Sequence, residues 1–510
     1  MRIPVPPTSP LTATALLVGG LTLARLAALF LSPLELYPDE AQYWLWSREL
    51  AFGYYSKPPV VAWLIALTTA IGGDGEPWVR VSALWLHAGA ALALFAVGRR
   101  LYDGWTGFWS AALYSLMPGV QLSSAVIATD APLLLFLALA LCAYVGLLQT
   151  VTRRSALALG AALGAAALSK YAALYFVAGL ILHAAASTEA RRRWSVTRLA
   201  MAVLAFAVVL GPNLVWNAAN GFETVSHTAA NTDWENGLRF DIAELVSFIG
   251  AQFGVFGPLP FAVLGVAAIV LAVRNRLRPE DRLLLCFALP PLVIVAAQAF
   301  AARANANWAV AAYVPGAVLV AAWLVRWRAR RTLSLTVFIQ GLAAAVFLVG
   351  IAHPPIADAL GLGNGLKRAR GWRASTDAVL ARVEPGLTAI AVDDRFLYNA
   401  IAYYGRERLA APDAPPLTVW VREATPQNQA EATAPLTGGQ GRRVLAASLV
   451  EDFRGEMKAD FRRTRDAADV TVPLDPKRSR AVQIFVAEAF SPKPRDPETG
   501  LPISARPTRP

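Results

Sequence analysis

The chain has 510 residues, of which 56% are hydrophobic and only 16% charged, with a mean hydropathy of +0.45. A soluble domain carries about 25% charge, and here the apolar residues fall in runs of roughly 16–23, enough to cross a bilayer core. The net charge of +12 does not indicate a nucleic-acid partner, because the excess arginine sits in short loops between apolar runs, where it reports membrane topology.

In chain order, eleven spanning segments are expected, near 11–31, 78–98, 105–127, 131–149, 155–169, 171–187, 199–216, 244–273, 283–301, 308–325 and 332–352. Residues 11–31 lack a small-residue cleavage site and read as a retained helix rather than a signal peptide. The apolar stretch 59–72 is short and fits a helix along the interface. Segment 244–273 contains Gly257-Pro258-Leu259-Pro260, which predicts an interfacial helix to about Phe256 and a span from Pro258. After residue 353 the chain turns polar, with strand-like runs at 388–392, 444–447 and 482–486 and a helical stretch at Arg395–Tyr404. The expected architecture is therefore an α-helical polytopic membrane protein: a module over 1–353 with a first outer loop at 32–77, a small α/β domain over 354–490, and a Pro- and Arg-rich disordered tail at 491–510.

Basic residues set the orientation. Arg99 and Arg100 follow the second span and Arg153 and Arg154 the fourth. Further clusters follow the sixth (Arg191, Arg192, Arg193, Arg198), the eighth (Arg274, Arg276, Arg278, Arg282) and the tenth (Arg326, Arg328, Arg330, Arg331). Every second loop is basic, which places those loops and the N-terminus in the cytoplasm and the C-terminal domain on the outer, periplasmic side. Asp39, Lys57, Asp130, Lys170, His227 and Arg303 all fall on that outer side. Cys142 and Cys286 lie apart within apolar segments, and His87, His183, His227 and His353 are scattered, so neither a disulfide framework nor a metal-ligand spacing is present.

Two stretches concentrate the chemistry. The first is Leu36-Tyr37-Pro38-Asp39-Glu40-Ala41-Gln42-Tyr43-Trp44, and the second is Tyr54-Tyr55-Ser56-Lys57-Pro58-Pro59. Carboxylates at a membrane boundary are costly. One acid can accept a proton and one cation can hold a departing phosphate. Each residue also has a plainer reading. Asp39 after Pro38 suits a helix N-cap, Tyr43, Trp44 and Trp46 suit an aromatic belt, and Lys57 suits a snorkelling lysine, although the double proline after it argues for a fixed position. Asp130 precedes Pro132 at the start of the fourth span and fits a capping acid. Lys170 between two short apolar runs fits snorkelling, and Arg303 in an outer loop otherwise poor in basic residues is an anion-site signal. The loop 217–240, with His227, Asp233 and Glu235 among asparagines, fits a lining for a polar substrate or a solvated loop. Asp393-Asp394-Arg395 reads as a structural ion pair.

Together these motifs resemble the C-type, polyprenyl-phosphate-sugar-dependent integral-membrane glycosyltransferases. The likeness is to the bacterial branch related to the lipid A aminoarabinose transferase and the protein O-mannosyltransferases, and to transferases that place galacturonic acid or similar sugars on lipopolysaccharide. It covers roughly residues 10–350, with a weaker likeness at Asp393-Asp394-Arg395 and 420–431. The resemblance implies that Asp39 is the catalytic base, with Glu40 and Asp130 as further acids that position the acceptor or the first outer loop. It also implies that Lys57 and Tyr54 hold the donor phosphate; beside them, Tyr55, Lys170 and Arg303 are expected in support, and Tyr43, His227 and Asn307 as contacts to the acceptor or sugar. Relatives carrying an acid before the lysine have a metal ligand there. Here that position is Ser56, so no metal site is carried over, and no cofactor is required, although a divalent metal is compatible with the chain. The expected partners are a polyprenyl-phosphate-linked sugar, a lipid or glycan acceptor and membrane lipids, but no nucleic acid, with the enzyme a monomer in the bacterial inner membrane. Protein O-mannosyl transfer differs only in its acceptor. A lipid flippase or transporter would place polar residues at the midplane and show half-repeats, and a membrane anchor would need far fewer spans.

Overall fold

The computed structural model describes residues 9–230, 240–496 and 500–502. It divides into two compact units, one formed by residues 1–32 and 50–352 and the other by residues 33–49 and 353–510.

The first unit is helical. Seven helices among the described residues are long and apolar enough to span a bilayer: Pro10–Leu31, Glu76–Leu101, Asp130–Thr150, Val196–Ala219, Pro279–Ala301, Ala306–Arg326 and Arg330–Ala352. The Ile242–Val255 and Pro258–Val273 helices meet at 118°. The break expected at Gly257-Pro258 is therefore present, with Gly257 at a φ of 103° that favours glycine. Val60–Gly72 and Tyr171–Ala186 are shorter apolar helices. The remaining expected spans are short or divided; 105–127 splits into Gly104–Leu116 and Pro118–Ala125, because a proline in a helix interior lacks the N–H that would continue the ladder. Carbonyls freed at that break need partners where no water reaches. Ser115 O accepts hydrogen bonds from Arg25 Nη2 at 2.5 Å and Gln121 Nε2 at 2.7 Å, so the buried arginine of the first helix repairs the divided one.

Burial follows a lipid solvent. Along Val196–Ala219 the outward side chains are apolar, with Val196 87% and Val215 71% exposed, a surface that is stable against acyl chains. The opposite face packs closely on Arg153–Ser169, where a Cβ on Gly160 would lie 2.0 Å from Ala202 O; small residues allow membrane helices to approach this way. Asp281, fully buried, is held by Arg326 at 2.8 Å through both nitrogens, by Tyr102 at 2.8 Å and by the Arg278 N–H.

The second unit is built on a six-stranded sheet: β1 (Ala389–Val392), β2 (Leu417–Val419), β3 (Arg443–Ser448), β4 (Phe461–Asp466), β5 (Val470–Asp475) and β6 (Arg478–Phe490). The order is β2-β1-β3-β6-β4, with β5 pairing β6. β2, β1 and β3 run parallel, while β6 is antiparallel to β3, β4 and β5. The three expected strands fall on β1, β3 and β6, with Thr388 just before β1, and Arg395–Tyr404 is a helix. Ile390 and Val392 face one core with Leu397 and Ile401, and Ala389 and Ala391 face the other with Trp420 and Phe485. This is the period-two alternation of a sheet covered on both faces.

The loop 32–77, read from sequence as one part of the helical module, is divided. Residues 33–49 belong to the sheet unit, because the Pro38–Trp46 helix packs on Arg395–Tyr404. Trp44 meets Tyr403 edge to face at 4.9 Å, Leu36 N–H donates to Tyr404 Oη at 2.8 Å, and Glu35 accepts from the Trp372 N–H. The expected disordered tail also begins with fixed contacts. Lys493 N–H and Arg495 Nη2 donate to the buried Asp460 at 2.8 and 2.9 Å, while 497–499 and 503–510 lie outside the described residues.

Candidate active site

In the sheet unit, the Pro38–Trp46 helix separates the two adjacent acids. Its N-cap is Tyr37, with Pro38 at the first helical position. The capping carboxylate is that of Glu40, which is fully buried and accepts the Tyr37 N–H at 2.8 Å, an N3 glutamate reaching back to the N-cap. Asp39 is half-buried and makes no hydrogen bond or ion pair among the described residues. The N-cap reading of Asp39 is thus replaced: Glu40 holds the helix start, and Asp39 is left available for a proton. Tyr43, expected to touch a sugar, is buried, with its ring 5.3 Å from that of Trp46.

In the helical unit, the segment 51–57 is tied down at three carbonyls. Ala51 O accepts from Trp63 Nε1 at 3.0 Å, Phe52 O from Asn213 Nδ2 at 2.6 Å, and Tyr54 O from Thr224 Oγ1 at 2.6 Å. Tyr54 N–H donates to Lys57 O at 3.1 Å, and Tyr54 Oη accepts the Ala51 N–H, closing a compact turn. Gly53 lies against Trp216, where a Cβ would come within 2.3 Å of the indole. Lys57 is therefore carried by a rigid turn that runs through Pro58-Pro59 into Val60–Gly72, the arrangement a preorganised phosphate-holding cation requires. Tyr55 meets His227 edge to face at 5.7 Å.

Asp130 opens the Asp130–Thr150 helix, with Thr129 at the N-cap. Its Oδ1 is 2.7 Å from Lys170 Nζ and its Oδ2 accepts from Asn307 Nδ2 at 2.9 Å. Three residues read separately thus converge: Asp130 is an ion-paired junction rather than a simple cap, and the Lys170 charge is met by a carboxylate. Arg303 is exposed; its backbone carbonyl accepts from Gln298 Nε2, and its side chain makes no ion pair among the described residues. Asp233 and Glu235 lie outside the described residues.

The sequence reading passed over Asn213, Tyr171 and Thr224, which fix the turn. Tyr171 Oη donates to Asn213 Oδ1 at 3.1 Å and accepts from Asn217 Nδ2 at 3.2 Å. Two asparagines four residues apart in an apolar helix were the available signal, since intramembrane polar groups pair with one another. In the sheet unit, the ion pair expected within Asp393-Asp394-Arg395 does not form among the described residues. Asp393 accepts from Ser448 Oγ and the Leu449 N–H, and Asp394 caps Arg395–Tyr404. Burial pushes the Asp393 carboxyl up to about 7.

Comparisons with known proteins give the chain its family. The family model for dolichyl-phosphate-mannose-protein mannosyltransferases matches residues 56–216, a range that holds Lys57, Asp130, Lys170 and Asn213. The chain is 37% identical over 407 residues to lipid A galacturonosyltransferase RgtD of Rhizobium johnstonii, covering 77% of this chain and 82% of that one. Its fold is similar to that of ArnT from Cupriavidus metallidurans, both bound to undecaprenyl phosphate and in the apo state. The TM-scores are 0.64 and 0.63 at 17% and 15% identity, with 92% of this chain and 97% of that one covered in each case. A polytopic helical body, a lysine-bearing turn bonded at three carbonyls and kinship over most of both chains lead to one conclusion: the chain belongs to the C-type, polyprenyl-phosphate-dependent integral-membrane glycosyltransferases.

Proposed function

We propose that this enzyme transfers a uronic-acid sugar from undecaprenyl phosphate to a hydroxyl of lipid A, with inversion at the anomeric carbon, at the periplasmic face of the inner membrane. The observation that carries the choice of sugar and acceptor is the 37% identity to a lipid A galacturonosyltransferase over 82% of that protein. The basic-loop pattern supports a cytoplasmic N-terminus and a periplasmic sheet domain.

In this reading Asp39 takes the proton of the acceptor hydroxyl as its oxygen forms the new bond to the anomeric carbon. The bond from that carbon to the phosphate oxygen breaks, and the polyprenyl phosphate leaves with the electron pair, its growing charge met by Lys57 Nζ with Tyr54 supporting the turn. Glu40 holds the helix that carries Asp39, and the Asp130–Lys170–Asn307 junction positions the outer ends of its helices. Every group in the scheme belongs to one chain, so a monomer suffices, and no step draws on a metal.

Asp39→Asn should leave thermal unfolding unchanged and lower turnover at least about a hundredfold; normal turnover by that variant would overturn the base assignment. Mass spectrometry of lipid A from cells with and without the gene should show loss of a hexuronic-acid increment. Unchanged lipid A together with loss of a hexose from envelope protein would transfer the reading to protein O-mannosylation, the activity named by the matching family model.

A further inference from the structure

A groove of about 740 Å³ opens on the helical unit between the Asp130–Thr150 and Arg153–Ser169 helices, apart from Lys57 and the segment that holds it. Its walls are apolar, with Leu139 and Ala143 on one helix and Ala158 and Ala162 on the other, and among the described residues no acidic side chain lines it. Lining residues run from Phe136 to Thr150 on the first helix, about 21 Å at 1.5 Å per residue. One leaflet of a ~30 Å hydrocarbon core accounts for about 15 Å of that, which leaves room for a headgroup.

The end at Thr150 is cationic. Arg100 and Arg154 both line the groove there. Arg100 Nη1 donates to Cys142 O at 3.2 Å, so its guanidinium is anchored to the groove wall. Gly146 faces this point: an added Cβ would lie 3.6 Å from Arg100 Nη1 and 3.3 Å from Ser155 Oγ, which brings Arg100 beside the first turn of the second helix. Both arginines are exposed, and neither pairs with an acid among the described residues. On the same basic face Arg326 is paired with Asp281, while Arg100 and Arg154 differ from the other unpaired arginines in lining one apolar groove together.

An apolar channel one leaflet deep with two unneutralised guanidiniums at its mouth matches a lipid with one anionic headgroup. We propose that the groove binds an anionic glycerophospholipid of the leaflet next to the basic loops, with an acyl chain along Leu139 and Ala162 and its phosphate on Arg100 and Arg154. The occupant is a structural lipid and takes no part in sugar transfer.

The test is native mass spectrometry of the full chain released from nanodiscs containing phosphatidylglycerol and phosphatidylethanolamine in equal amounts. The wild type should retain one phosphatidylglycerol in preference. Arg100→Gln/Arg154→Gln should lower that retention roughly ten- to thirtyfold, the scale expected from two basic side chains beside an anionic headgroup, while Arg192→Gln should not. Leu139→Trp fills the channel without touching either charge and should lower retention of both lipids, so the inference stays testable if the double variant folds poorly. Equal retention of the two lipids by the wild type, or undiminished phosphatidylglycerol on either variant, would overturn the proposal. Displacement of phosphatidylglycerol by equimolar undecaprenyl phosphate would do the same, by assigning the groove to the donor lipid.

Discussion

The junction of Asp130, Lys170 and Asn307 separates a latch from a phosphate-binding site. Asp130 Oδ1 and Lys170 Nζ are 2.7 Å apart, with side-chain exposures of 12% and 21%, so the pair lies between two regimes. Exposed pairs contribute about 0.2–1 kcal/mol, and removing one partner of a fully buried pair costs about 3–5 kcal/mol. A value near 2 kcal/mol is expected here. Asp130→Ala also strands Asn307, whose 2.9 Å bond to a carboxylate adds about 1 kcal/mol at an exposed site, for about 3 kcal/mol in all. Lys170→Ala leaves Asp130 bonded to Asn307 and should cost about 1–2 kcal/mol. In a double-mutant cycle followed by equilibrium unfolding in micelles, the two substitutions should therefore couple by about 1–2 kcal/mol. Donor KM should change together in both single variants, because each loosens the same helix ends. Additivity within about 0.5 kcal/mol, with a raised donor KM in Lys170→Ala alone, would refute the latch and return Lys170 to the donor phosphate.

Three further outcomes are expected. Glu40→Ala should destabilise the Pro38–Trp46 helix by about 0.5–2 kcal/mol, while Glu40→Gln, which keeps an acceptor for the Tyr37 N–H, should retain turnover; loss of turnover in Glu40→Gln as deep as in Asp39→Asn would place Glu40 in the chemistry. Gly53→Ala forces a methyl into the Trp216 indole, 2.3 Å away, and should cost about 1–3 kcal/mol and raise donor KM, since the turn carrying Lys57 must shift; unchanged donor kinetics would show that the turn does not set the position of Lys57. The Asp393 carboxyl, raised by burial from 3.8 to about 7, binds a proton in the folded state that the unfolded chain releases near pH 4. Unfolding stability of the sheet domain should therefore fall as pH rises from about 4 to 7, by at most about 1.4 kcal/mol per pH unit from this group, with Asp394, also raised by burial, acting in the same direction. Thermal unfolding of the full chain across that range should show the slope, and Asp393→Asn should flatten it; an equal slope in the variant would exclude Asp393 as its source.

Local pattern made much of this protein legible. Apolar runs of spanning length, the arginine alternation, the Gly257-Pro258 break and the strands within β1, β3 and β6 depend on composition and period over a few residues. The motif around Asp39 and the one around Lys57 were likewise readable, because an acid, a lysine and a double proline are conspicuous in an apolar chain. Span boundaries were less so: residues 105–127 are apolar throughout, yet Pro118 divides the helix, and Arg25, some ninety residues earlier, completes its bonding.

Tertiary structure decided what each polar group does. The resemblance already separates Asp39 from Glu40, but the residues alone do not show how the two acids are bonded. A backbone N–H at Tyr37 and the packing of Trp44 on Tyr403 make one a buried cap and leave the other unbonded. Asp130, Lys170 and Asn307 gave three separate readings until helices distant in sequence brought them within 3 Å, and the turn at Lys57 is rigid because of Asn213 and Thr224, 161 and 170 residues from the carbonyls they bind. Hydropathy and periodicity are properties of neighbours along the chain, so the sequence determined the membrane class, the elements and the candidate groups. A hydrogen bond or ion pair between distant segments depends on how helices pack, and only the fold could show which of those groups cap a helix, pair with one another, brace a turn or are left unbonded.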